Sequence, residues 1–214
     1  MATPLAASCF HCILERSMHT QITQMCHDSM NMLSRLIEEQ ADTISHAAMI
    51  MVDTLIHERK IICCGNGASG ANAQSFVSKM LNRFEHERPA LPALALAPDS
   101  VTLSALAQDN RLTESFSRPF LAFAQPGDVL VVLSATATAA NILAIVQAAH
   151  ERGCPVIAIT GASGGDVARL LAPEDVLIQI PEHRAYRVHE AQLFTLHCCC
   201  ALIDASLFGD PDLV

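Results

Sequence analysis

The stretch at residues 60–84, KIICCGNGASGANAQSFVSKMLNRF, decides how the chain is read. Four apolar residues, 61–64, run directly into Gly65, Gly67 and Gly70, and apolar side chains then recur at Ala73, Phe76, Val77, Met80, Leu81 and Phe84. That spacing marks a helix with one buried stripe, so the segment predicts a strand, a tight turn and a helix. Glycines at such a turn tolerate positive φ and let a ligand approach the backbone, while the free N–H groups of the helix start attract anions. A phosphate site is the first expectation. The same glycines spell G-x-G-x-x-G, the dinucleotide fingerprint, which asks for an acidic residue about 20 positions on, at the end of the second strand. The next apolar run, 91–97, ends at Pro98 and Asp99, later than that spacing allows. The phosphate reading rests instead on Ser69 and on a second hydroxyl-rich turn, Ser134, Thr136 and Thr138, behind a later strand.

Downstream the order repeats. Residues 91–97 read as a strand, 100–107 as a short helix, and 113–124 as a helix holding Phe116, Phe120 and Phe123. Gln125-Pro126-Gly127-Asp128 is a turn into the strand 129–133, fully apolar as a central parallel strand should be. A helix at 139–151 ends at Gly153, followed by strand 155–160, a loop at 161–165, a short helix at 166–171, strand 176–180 and a closing helix at 187–207. Five strands alternating with helices predict a three-layer α/β sandwich around a parallel sheet. In such sheets ligands sit beyond the C-terminal strand ends, where the strand order reverses, and both hydroxyl-bearing turns fall there.

Upstream, the chain reads as helical from about Gln24, with Asp42 or Thr43 capping a second helix. The expected organisation is a poorly ordered extension at 1–24 and a single domain at 25–214, with helices preceding the first strand. Methionine-rich faces in those helices suit a helix-to-helix or subunit contact.

Composition narrows the function classes. Thirteen basic against 22 acidic residues make the protein acidic and argue against a direct grip on nucleic acid. The nine cysteines include Cys63-Cys64 and the triplet Cys198-Cys199-Cys200 inside apolar segments, where neighbours cannot form a disulfide framework. They read as reduced, buried thiols of a cytoplasmic protein. No zinc-type pair of C-x-x-C motifs is present, and the apolar runs read as too short to cross a membrane. His183-Arg184 and the charged run 85–88 read as solvated surface.

CGNGASGANAQSF at 64–76, the turn from Ser134 to Asn141, VIAITGASGG at 156–165 and RVHEAQLFTLH at 187–197 together resemble a sugar isomerase (SIS) domain of the phosphoheptose isomerase group, over about residues 26–208. Within it, Asn82-Arg83-Phe84-Glu85, Glu87-Arg88-Pro89, Ile180-Pro181, His183-Arg184 and Leu202-Ile203-Asp204 with Leu207-Phe208 are most similar to a branch whose members associate with the replication initiator DnaA. The resemblance implies a flavodoxin-like sheet and a homotetramer.

Its chemistry transfers only residue by residue. The heptose isomerases hold a metal with a His and a Glu on the helix after the glycine turn and a Gln and a His on the last helix. Here those positions are Ser75, Lys79, His189 and His197. An ammonium in place of a carboxylate exchanges attraction for repulsion, each about 4 kcal/mol per unit charge at about 4 Å and an effective dielectric of about 20. No metal and no cofactor are therefore expected. His197 and Glu190, seven residues apart on nearly one helix face, are left as a vestigial acid–base pair lacking its opposing group. Asn66, Ser69, Ser134, Thr136 and Thr138 are the candidate phosphosugar contacts, although Ala135 and Ala139 occupy two further hydroxyl positions and Ala137 replaces a Gly. Hydroxyls that merely cap the following helix are the alternative. Asp109 matches an Asp of the isomerase site or begins the helix after Asn110. Leu207 and Phe208, before the polar stop Gly209-Asp210-Pro211-Asp212, are the candidate partner contact.

The expectation is a non-catalytic homo-oligomeric adaptor that binds a DnaA-type initiator and promotes its assembly at the chromosomal origin, with no direct nucleic acid or membrane contact. The alternatives are an isomerase of sedoheptulose 7-phosphate and a phosphosugar sensor.

Overall fold

The computed structural model describes residues 4–209, with side chains described from Met18 onward. The chain divides into two compact units, residues 1–39 and 40–214. The first is one stretch of the helix α1 (Pro4–Ile56), whose exposed apolar side chains include Met18, Ile22 and Met25. Where the sequence suggests two helices from Gln24, α1 is continuous through Asp42 and Thr43 and reaches back into the stretch read as a tail. Neither Gly nor Pro occurs between Leu5 and Ile56, so nothing interrupts the hydrogen-bond ladder, and a cap residue inside a helix does not stop it.

The second unit carries five parallel strands, β1 (Ile61–Gly65), β2 (Ala93–Leu96), β3 (Val129–Ser134), β4 (Val156–Thr160) and β5 (Val176–Gln179), in the order β2-β1-β3-β4-β5. Ile61 stands opposite both Ala93 and Val129, and Leu130 opposite Val156, so β1, β3 and β4 are paired on both edges. All three are buried along their whole length, which is why they read as unbroken apolar runs rather than alternating ones. The intervening helices are α2 (Ala68–Leu81), α3 (Ser100–Gln108), α4 (Ser117–Phe123), α5 (Ala140–Arg152), α6 (Val167–Leu170) and α7 (Ala185–Phe208). The helix expected at 113–124 is split into a 3-10 turn at Leu112–Glu114 and α4.

Side chains alternate across the sheet. Ile62, Cys64, Leu130, Val132, Val156 and Ala158 meet Phe116 and Phe120 and the inner residues of α5, Ile142, Ile145 and Val146. The opposite side packs against α2 and α7, which also pack on each other. Cys63, Cys64, Cys199 and Cys200 are fully buried there and in the sheet, as the apolar context of those thiols predicts. α7 is 24 residues long and apolar enough, by length and composition, to cross a membrane, which corrects the sequence expectation. In this fold its stripe Val188, Ala191, Gln192, Thr195, Leu196, Cys199, Cys200 and Ile203 is buried instead.

Carboxylates fix the strand starts. Asp128 accepts from the Lys60 amide at 3.0 Å, from Lys60 Nζ at 2.6 Å and from the Gln125 amide at 2.7 Å. Asp175 accepts from the amides of Val156 and Ala172, each at 2.7 Å, and lies 2.7 Å from His150 Nε2. The opposite, C-terminal strand ends are left for other work.

Arg88 departs from the solvated reading of the run 85–88. Its side chain is 3% exposed, pairs with Asp204 of α7 at 2.7 Å, and donates to the carbonyls of Lys79 and Met80 at 2.9 Å each. It thereby closes the C-terminal end of α2, whose last carbonyls have no partner within the helix. Arg88→Ala leaves those groups and Asp204 without their cation, so a loss of about 3 kcal/mol in unfolding free energy is expected from urea titration.

Candidate functional site

The strand order reverses between β1 and β3, and the turns leaving both strands open at that point. Gly67 caps α2 with φ of 55°, a conformation that favours glycine, and no side chain caps the helix. The first-turn amides of α2 therefore have neither an intrahelical nor a capping partner. They border a cavity of about 540 Å³ lined by Gly67, Gly70, Gln74, Leu103, Phe116 and Asn141, among others.

One hydrogen-bonded ladder spans the reversal. The amides of Asn66 and Asn141 bond each other reciprocally at 2.9 Å, and Asn141 Nδ2 also donates to Ser115 Oγ at 3.1 Å. Asn66 follows β1, Asn141 opens α5 and Ser115 precedes α4, so three crossovers are fastened at the cavity wall. Of these, Asn66 is a site residue read from the sequence. Asn141, Ser115 and Gln74 were not singled out; the available signal was an amide at the first turn of the helix behind a strand-end loop.

The candidate hydroxyls go elsewhere. Ser69 is 2% exposed and donates to Gln192 Oε1 of α7 at 2.9 Å, while Gln192 Nε2 donates to the Ile159 carbonyl at 3.1 Å. Ser134 Oγ accepts from the Ala137 amide at 3.0 Å and so closes the strand-end turn, while α5, whose N-cap is Ala139, has no side-chain cap, so the expected alternative of helix capping is not what this hydroxyl does. Thr136 and Thr138 are exposed, with their hydroxyls 3.5 Å apart. Ala137, which stands where the family has Gly, adopts φ of 54°, and its carbonyl accepts from the amides of Asp166 and Val167. Asp109 is the C-cap of α3 rather than the start of a helix.

Farther along α2, Lys79 Nζ lies 3.3 Å from Ser75 Oγ. His197 on α7 stacks obliquely on Phe84, centroids 5.5 Å apart, and its Nε2 is buried with no hydrogen-bond partner. Burial first, and the charge of Lys79 second, hold the His197 ring below the ordinary histidine value. His189 is held low by burial, and its carbonyl accepts from Asn72 Nδ2 at 2.9 Å. Glu190 is exposed, with its carboxylate 3.8 Å from the Arg187 guanidinium. Leu207 is half-buried and Phe208 46% exposed at the end of α7.

A sequence model of the SIS domain matches residues 24–161. The chain belongs to the SIS domain family. It is 46% identical to a DnaA initiator-associating protein DiaA of Cronobacter sakazakii over 82% of this chain and 89% of that one. A DiaA protein of Escherichia coli O1:K1 is also 46% identical, over 82% of this chain and 90% of its own. Among solved structures, this SIS chain is similar to the phosphoheptose isomerase of Francisella tularensis, with a TM-score of 0.82, 34% identity and coverage of 86% of this chain and 97% of that one. The phosphoheptose isomerase of Neisseria gonorrhoeae gives a TM-score of 0.82 at 33% identity, covering 88% and 99% respectively.

The metal that heptose isomerases of the SIS family hold does not fit here. Ser75 and Lys79 stand at two ligand positions, the ammonium lies close enough to depress His197, and no group of three or more metal-ligating side chains occurs among the described residues. A divalent cation would meet a like charge.

Because both rings protonate less readily in the folded chain, the unfolded chain takes up protons first as pH falls below about 6.5. Stability is expected to be level above that pH and to fall below it, through the lower folded values of His189 and His197. Urea midpoints at about pH 7 and about pH 5 should show the drop, and His197→Leu should remove part of it.

Proposed function

We propose that this protein is a non-catalytic, homo-oligomeric adaptor that binds a DnaA-type replication initiator and promotes its assembly at the chromosomal origin, in the cytoplasm. The observation that carries this reading is the conjunction of 46% identity to proteins named for association with DnaA and a catalytic face that holds Ser75 and Lys79. An SIS scaffold whose metal positions carry an alcohol and an amine lacks the electrophile and the opposing base that sugar isomerisation needs.

A single domain of residues 25–214 serves as the adaptor body. Exposed Met18, Ile22 and Met25, one helical turn apart on α1, support self-association, and four copies match the tetramer that the family resemblance implies. Several copies of one partner site in a closed assembly raise the effective concentration of captured initiators, so no contact with DNA is required. Phe208, 46% exposed beside Leu207 at the end of α7, is the anchor the partner would take.

A second reading adds to the first. The uncapped start of α2 bordering a cavity of about 540 Å³ favours a bound phosphosugar that tunes partner binding, held by Asn66 and backbone amides, while Ser69, Ser134, Thr136 and Thr138, the other contacts expected from the sequence, lie outside the lining of that cavity.

Pull-down of purified DnaA should succeed with the native protein and weaken at least about tenfold with Phe208→Ala, a loss of about 1.4 kcal/mol. Incubation with sedoheptulose 7-phosphate and zinc should give no turnover. Conversion at ordinary enzyme rates would replace the adaptor by an isomerase.

A further inference from the structure

The last two turns of α7, residues 201–208, are mostly in solvent. Ala201, Leu202, Ala205, Ser206 and Phe208 are exposed, Asp204 and Leu207 are half-buried, and Ile203 is buried. Ser206 Oγ turns back to the Leu202 carbonyl of its own helix at 2.7 Å. Among the described residues, the bond from Arg88 to Asp204 is therefore the one side-chain hydrogen bond that ties these turns to the rest of the fold. Helical side chains lean toward the N-terminus, and residues four apart stand one above the other. Phe208 thus rises from the same helix face as Asp204, one turn beyond it.

Arg88 is itself firmly held. Its Nε donates to Asp204 Oδ1 at 2.7 Å, Nη1 to the carbonyls of Met80 and Pro89 at 2.9 and 3.0 Å, and Nη2 to the Lys79 carbonyl at 2.9 Å. These donors share one rigid plane, so Asp204 cannot shift without loosening the bonds to the end of α2. Pro89 confines the backbone of Arg88 to extended conformations and so narrows the directions in which its side chain can leave. A lysine there would be a point charge without the fork.

We infer that Arg88 is a positioning residue for the partner contact: through Asp204 it fixes the turn of α7 that presents Phe208. The inference rests on the reading of Leu207 and Phe208 as the anchor for an initiator protein. An aromatic anchor contributes most when it enters its pocket already ordered, because ordering a loose helix end on binding subtracts from affinity. With Arg88 in place the turn is set before the partner arrives. Without it, Ile203 and Leu207 are left to hold that turn, and Leu207 belongs to the contact itself. Arg88 acts at a distance, since its side chain is 3% exposed and offers no surface to a partner.

The test is capture of purified DnaA by the full chain. Arg88→Lys and Asp204→Leu should each weaken capture at least about tenfold. Asp204→Asn, whose amide oxygen still accepts from Arg88 Nε, should retain most of it, which separates positioning from a direct charge contact between Asp204 and the partner. Ile145→Val, a change in the buried face of α5, lowers stability without touching either helix end and should capture as the native protein does. Amide exchange at residues 205–208 should be at least about tenfold faster in Arg88→Lys than in the native protein or Ile145→Val. Native capture by Arg88→Lys overturns the proposal, as does an equal loss in Ile145→Val or a loss in Asp204→Asn as large as that in Asp204→Leu. Phe208→Ala keeps the two failures apart. If it loses capture while Arg88→Lys keeps it, the anchor stands and the positioning role falls; if it captures as the native protein does, the anchor reading falls and the proposal falls with it.

Discussion

The structure hangs on a backbone contact that leaves no space for a side chain. A Cβ on Gly70 would stand 2.6 Å from the Gly65 carbonyl oxygen, and one on Gly65 would stand 2.8 Å from the Leu133 carbonyl oxygen. The end of β1, the first turn of α2 and the end of β3 are therefore pressed together main chain to main chain. Only this approach lets α2 start immediately behind its strand with its amides facing the strand reversal, and only then do Asn66 and Asn141 come within bonding reach. The cavity, the ladder across it and the direction of α2 follow from two hydrogen atoms, on Gly65 and Gly70, standing where methyl groups would collide.

From that start α2 runs as one rod with two chemistries. Its first turn presents uncapped amides to a cavity whose lining carries no charged side chain. Two turns on, Ser75 and Lys79 present an alcohol and an ammonium toward α7. The fold of the SIS family is retained here, and the face of α2 beyond its first turns carries an alcohol and an ammonium. Scaffold and chemistry are separable, because the packing that places a residue on a helix face is indifferent to whether its tip is an acid or an amine.

Much of this was legible in the residues. Strands β1, β3 and β4 are buried on both faces, so their apolar runs carry an unambiguous signal, and the glycines mark the turn behind β1. The contact of Lys79 with Ser75 was also visible, since i, i+4 spacing puts them on one helix face, whereas the reversal of charge there is what the family resemblance implies. Long-range bonds were not. Arg88 sits in a charged run that reads as solvent-facing, and the acid that buries it is 116 residues away; Ser69 gives its hydroxyl to Gln192, 123 residues away. Local composition holds no trace of either pairing. The capped second helix expected at Asp42 failed for the opposite reason: a local cap signal was present, but no residue there ends the preceding helix.

The pairing of Arg88 with Asp204 ties two helix ends that are remote in sequence. Asp204 lies one turn before Phe208, and Arg88 carries the bond across to the last carbonyls of α2. The two termini therefore fray as one cooperative unit, and whatever steadies the tail of α7 also slows the opening of the α2 exit.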